Sequence, residues 1–171
     1  MPKKISDYSF IIILVFITFI LFISETVHAQ AISIELQDAS SAAYTTWVIT
    51  PKVPLNTEKT MLSAEGVKVV IDAKEKINLS ASASSTGPWK AGISPGLNIY
   101  KLEVKSFDSQ QGTPVISGAD TKTILDTTDI FDSKIKAKTT IRWVYAKVTT
   151  PTATTTGRPQ LITVTITATA N

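Results

Sequence analysis

From Ile162 to Ala170 the sequence alternates without a break, with Ile162, Val164, Ile166, Ala168 and Ala170 at one parity and Thr163, Thr165, Thr167 and Thr169 at the other. Successive side chains of a strand point to opposite faces, so this period of two in β-branched residues describes a half-buried strand with a threonine outer face; a helix could not gather either set onto one side. The same period recurs upstream. Ile32, Ile34 and Leu36 alternate with Ser33 and Glu35, and Trp47 and Ile49 form a short run ended by Pro51. Val67, Val69 and Ile71 lead through the polar stretch Asp72 to Lys76 into Ile77, Leu79, Ala81 and Ala83, which reads as a hairpin. Ile99 to Phe107 is a further strand, with Tyr100, Leu102 and Val104 facing together. Ile135, Ala137, Thr139, Ile141, Trp143 and Tyr145 predict one long strand whose other face carries Lys136, Lys138 and Arg142.

Loop and turn signals separate these runs at Ser84 to Pro88, at Ser109 to Thr113, at Pro151 and at Gly157-Arg158-Pro159, and no amphipathic helix longer than a turn or two is legible. The expected fold class is all-β: an antiparallel β-sandwich of immunoglobulin-like or jelly-roll type, following an N-terminal signal helix.

The signal is read from three adjacent features. Lys3 and Lys4 supply a positive start; Phe10 to Ile23 is apolar apart from Thr18; Val27-His28-Ala29 and Ala29-Gln30-Ala31 offer small residues for a signal peptidase. As a helix the fourteen-residue apolar run reaches only ~21 Å, short of the ~30 Å hydrocarbon core. Residues 1–29 are therefore expected to be a signal peptide cleaved after Ala29 or Ala31, and 30–171 a single exported domain. The alternative is an uncleaved anchor extended by Ile5 and Val27, against which Asp7 and Glu25 count. The expected location is the cell envelope or the extracellular space.

Of 17 basic and 14 acidic residues, Lys3, Lys4, Asp7 and Glu25 belong to the signal, which leaves 15 against 12 and a net charge of +3. That is too weak to argue for nucleic acid, or for a membrane beyond the signal segment, as a partner. His28, the only histidine, lies in the signal, and the chain has no cysteine. Histidine- and cysteine-based nucleophilic catalysis is excluded for the mature part, as is any metal or haem site built on imidazole or thiolate, so no cofactor is expected. With no disulfide available, apolar packing must hold the fold, which roughly 140 residues can manage. Only carboxylate, lysine, tyrosine or Ser-Lys chemistry survives composition, no pair of carboxylates is placed at a working separation by the sequence, and the expectation is a non-enzyme.

From about Ala64 onward the chain resembles the small immunoglobulin-like sandwiches that bacteria export to their envelope or surroundings. The residues that carry the likeness are Lys76-Ile77-Asn78-Leu79-Ser80, Thr86-Gly87-Pro88-Trp89, and the ending Ile141-Arg142-Trp143 through Thr149-Thr150-Pro151-Thr152 to Leu161-Ile162-Thr163-Val164-Thr165-Ile166-Thr167. The resemblance implies a fold and a location, and no catalytic residues.

Three clusters are candidate sites. Asp126, Asp129 and Asp132, with Asp120 before them, could gather oxygens around Ca²⁺, although the EF-hand order is missing and Asp126 also reads as a helix N-cap. Trp89, beside Pro88 in a loop, could stack on a sugar ring and make the domain a carbohydrate-binding module; Trp143 and Tyr145 share a face with Ile141 and read as core. Lys136, Lys138 and Arg142, with Lys134, form a basic row that could meet an anionic wall polymer or merely keep a strand soluble. Asn78-Leu79-Ser80 is a formal glycosylation sequon inside a predicted strand. The reading favoured by the whole pattern is a structural protein that meets itself or another envelope protein, or alternatively a glycan. Ile32 to Gln37 and Leu161 to Ala170 are its candidate pairing edges.

Overall fold

The computed structural model describes residues 32–44, 46–49, 53–85, 87–156 and 160–171. The expected signal segment and cleavage points, Pro51, Thr86 and the turn expected at Gly157-Arg158-Pro159 lie outside the described residues. Among the described residues ten strands follow one another: β1 Ser33–Gln37, β2 Glu58–Thr60, β3 Val67–Asp72, β4 Ile77–Ser85, β5 Lys90–Ala91, β6 Ile99–Phe107, β7 Lys122–Ile124, β8 Asp129–Ile135, β9 Thr140–Thr149 and β10 Ile162–Ala170. A single 3₁₀ turn at Ser63–Glu65 is the one helical element among the described residues, and the fold class is all-β.

The strands form two sheets. In the larger, β1, β3, β9, β6 and β5 lie in that order, with β2 also on β9 and β7 also on β6; the smaller is β10, β4 and β8. Among the described residues every pair of these strands is antiparallel except β5 with β6. Directly opposed residues share a face, so the registers show which side chains meet. Val67, Val69 and Ile71 of β3 and Leu102 and Val104 of β6 line one inner face with Val144, Ala146 and Val148 of β9. Ile77, Leu79, Ala81 and Ala83 of β4 line the other, and both sets belong to one buried apolar cluster. Fully burying each large aliphatic side chain of that set contributes about 1.5–3 kcal/mol.

Two sequence expectations are corrected by this pairing. β3 and β4 are not a hairpin, because β3 pairs with β1 and β9 whereas β4 pairs with β10 and β8; the polar stretch between them carries the chain from one sheet to the other, so both alternating faces can point at the same core. Nor is Ile135 to Tyr145 one strand. Ile135 opposes Ile77 in the small sheet, Thr140 opposes Ile71 in the large one, and the crossing between them uses Lys138 at φ 132. The two crossings are tied together where Lys138 N–H donates to the Ala73 carbonyl at 2.8 Å.

The bend also reverses the faces of β9. Val67 opposes Val144 and Val69 opposes Arg142, which puts Arg142 on the inner face and Trp143 and Tyr145 on the outer one. Trp143 and Tyr145 are buried nonetheless. Tyr145 Oη accepts from Gln111 N–H at 3.0 Å and donates to the Ser63 carbonyl at 3.3 Å, so residues 63–66 and the loop after β6 close over it. A Cβ at Gly66 would lie 2.4 Å from Tyr145 Cε1, and the absent side chain is what lets the ring fit. Trp47 and Ile49 pack half-buried against the core without forming a strand.

Candidate assembly edge

A sheet ends in strands whose outer N–H and C=O groups have no ladder partner, and natural edges are blunted by shortness, charge, bulges or covering segments. At the ends of the larger sheet, β5 and β7 are two and three residues long. β1, five residues long with Glu35 at its centre, is met at its C-terminal end by its own chain: the Tyr44 N–H donates to the Leu36 carbonyl at 2.9 Å, and Gln37 bridges Ala43. That return is held by Asp38 Oδ1, which accepts from the Ser40 hydroxyl, the Ala42 N–H and the Ser40 N–H at 2.7–3.0 Å. The Ser40 hydroxyl foremost, and then the amides, keep the Asp38 carboxyl below its usual range.

In the small sheet, β8 carries Asp129, Asp132 and Lys134 and is irregular against β4, with register shifts on both sides of Leu79. Asn78 fixes this irregularity. Its Oδ1 accepts from Lys134 N–H at 3.0 Å, where Lys134 has φ 58, and its Nδ2 donates to Asn171 Oδ1 at 3.0 Å. The sequon amide is buried and engaged within the fold.

Among the described residues β10 shows none of these devices. It runs nine residues in unbroken register from Ile162 opposite Ser85 to Ala170 opposite Ile77, and Gln160 to Asn171 contains no charge, proline or glycine. Among the described residues β4 is its only strand partner. The Asn171 N–H donates to the Lys76 carbonyl at 2.9 Å, and antiparallel ladders alternate hydrogen-bonded with non-hydrogen-bonded pairs. Thr163, Thr165, Thr167 and Thr169 therefore turn their backbone groups toward β4, and Ile162, Val164, Ile166, Ala168 and Ala170 turn theirs away. These outward residues are also the ones whose side chains face the core. Their burial is partial, with Val164 38% exposed, whereas the opposing Ala83, Ala81, Leu79 and Ile77 are at most 2% exposed.

The residues singled out from sequence have other surroundings. Trp89 is half-buried, 6.3 Å from the Tyr100 ring, and its Nε1 donates to Thr154 Oγ1 at 2.9 Å, so it does not project freely from a loop. Lys136 and Lys138 sit in the crossing between β8 and β9 and do not continue a row with Arg142, because the predicted strand is broken there. Arg142 instead lies between the sheets. Its Nε is 3.2 Å from Asp132 Oδ2, an ion-pair contact off the N–H axis, and its Nη1 pairs with the exposed Asp108. Asp132 also accepts from Ser106 Oγ at 2.6 Å. Burial lowers the Arg142 guanidinium from its ordinary value and raises the Asp132 carboxyl against the bonds from Ser106 and the Ser133 backbone.

Asp126, Asp129 and Asp132 are not brought together as a cation site. Asp126 precedes a strand rather than a helix, Asp129 Oδ1 accepts from the Ile130 N–H, and Asp132 is occupied as above. Among the described residues no three acidic side chains converge where a metal could be held. On the outer face of the larger sheet, Glu103 is flanked by Lys101 Nζ at 2.9 Å and Lys147 Nζ at 3.0 Å. Burial alone would raise the Glu103 carboxyl, but the two lysines together outweigh it and hold it below its usual value. Glu103 and Asp132 are thus engaged by neighbouring cations, whereas the outer main-chain edge of β10 has no strand partner among the described residues. Compared with family models, curated proteins and solved structures, the chain matches none.

Proposed function

We propose that the protein is an exported, non-enzymatic structural component of the cell envelope or extracellular matrix, a β-sandwich of immunoglobulin-like or jelly-roll type that assembles by adding strands at its edge. The observation that carries this reading is β10: long, uncharged, regular and paired on one side only among the described residues. Such an edge offers main-chain hydrogen bonds to any extended partner without a side-chain motif. It fits a chain whose mature part lacks histidine and cysteine.

The test is mass by light scattering on protein purified from cells expressing the full chain, over a wide concentration range, beside Val164→Pro. The Val164 N–H points away from β4, so proline there removes an outward donor and leaves the β4 ladder intact, as edge strands tolerate. Wild type is expected to grow in mass with concentration and the variant to stay monomeric with a similar unfolding midpoint. A wild type that stays monomeric throughout overturns the proposal.

A further inference from the structure

We infer that the partner at this edge is a second copy of the same chain, joined β10 to β10, antiparallel, about a two-fold axis through Ile166. The inference rests on the edge-assembly reading above and goes beyond it in naming the occupant and the register.

The parity of β10 supplies the first step. Its outward N–H and C=O groups belong to Ile162, Val164, Ile166, Ala168 and Ala170, and bonded pairs in an antiparallel ladder exchange both bonds between directly opposite residues. Two copies can therefore bond only with these residues opposite one another. Opposed residues share a face, so any bonded register sets the apolar side of one β10 beside the apolar side of the other and threonine beside threonine. The two small sheets then merge into one, apolar on a single face, and the half-covered Val164 gains apolar neighbours across the new pair. Like charges at symmetry-related positions would oppose such a pairing, and this strand has no charged side chain between Gln160 and Asn171.

Length selects among the allowed registers. Centring on Ile166 opposes Ile166 to Ile166, Val164 to Ala168 and Ile162 to Ala170, and is the one register that pairs every outward group of Ile162–Ala170. A shift to either side leaves outward groups unbonded at both ends. The result is an isologous interface, closed by its own symmetry. The other edges are less suited: β1 carries Glu35 and is met by residues 38–44 at Leu36 and Gln37, and β8 is charged and irregular.

The chain has no cysteine, so introduced thiols report only on each other. In the Ile166-centred register Thr165 of one copy lies directly opposite Thr167 of the other as a non-hydrogen-bonded pair, with Cα atoms about 4.5 Å apart, within disulfide reach. Like positions are diagonal, at about 7–8 Å. Thr165→Cys and Thr167→Cys are made separately and oxidised alone and as an equimolar mixture. The mixture is expected to give disulfide-linked dimer at least about fivefold above either variant alone. If Thr165→Cys or Thr167→Cys cross-links best with itself, the register is wrong by one step and the Ile166 axis is overturned. If mass still grows with concentration and Val164→Pro still abolishes that growth, but no combination cross-links, the antiparallel β10-to-β10 register is overturned while assembly at the β10 edge stands. If mass does not grow, both fall.

Discussion

Arg142 Nε approaches Asp132 Oδ2 to 3.2 Å from the opposite sheet, so a guanidinium on the inner face of β9 is neutralised by a carboxylate on β8 at the rim of the apolar core. Asp132 is the partner the half-buried cation depends on, since Asp108, on its other side, is 86% exposed. Asp132→Ala leaves Arg142 partly buried without that neighbour and is expected to cost about 3 kcal/mol. Asp108→Ala is expected to cost under about 1 kcal/mol. Urea midpoints of the two variants decide it, and equal losses would contradict this division of roles.

Gly66 is required by space. Its φ of −61° is open to any residue, but a Cβ would sit 2.4 Å from the Tyr145 ring. Gly66→Ala is expected to destabilise by about 1–3 kcal/mol and to change the near-ultraviolet circular dichroism that reports tyrosine packing. Tyr145→Phe, which keeps the ring and removes the bonds to Ser63 and Gln111, should cost about 1 kcal/mol.

The Lys101–Glu103–Lys147 cluster predicts a pH dependence of known sign. Glu103 titrates below its unfolded value, so its contribution is complete above that value and is lost as pH falls through the lower folded one. Glu103→Gln should be less stable than wild type near pH 7 by about 1 kcal/mol, and the gap should narrow as pH falls below the unfolded value. Denaturation midpoints measured along that pH range would contradict the assignment if the gap stayed constant.

Asn78→Ala removes the acceptor of the Lys134 N–H and the link to Asn171. The expected loss is about 1–3 kcal/mol from the unpaired amide, together with faster hydrogen exchange at Lys134. A substitution that left that amide as protected as before would show that β8 is held in its irregular register by something else.

The strand content and several faces were legible because alternation survives in Ile99–Phe107 and Ile162–Ala170 whatever the partners are. Sheet membership was not. Val67–Ile71 and Ile77–Ala83 carry the same pattern whether they pair with each other or face each other across a core, and the polar stretch between them serves a hairpin or a crossing equally well. Trp143 and Tyr145 misdirect for a related reason: aromatic side chains mark burial, and here burial comes from residues 63–66 and the loop after β6, which cover an outer face. The segment Leu161–Ala170 could be named as an edge from sequence, but which of its residues turn their backbone outward is fixed only by the bond from Asn171 to Lys76.

That parity makes amide hydrogen exchange, resolved by residue in β10 at low and high protein concentration, the most direct measurement. Thr163, Thr165, Thr167 and Thr169 should be protected at both concentrations by β4, while Val164, Ile166 and Ala168 should exchange fast in dilute protein and slow markedly as the mass grows. If Val164, Ile166 and Ala168 remain fast at concentrations where the protein has assembled, the β10 edge is not the surface that joins it.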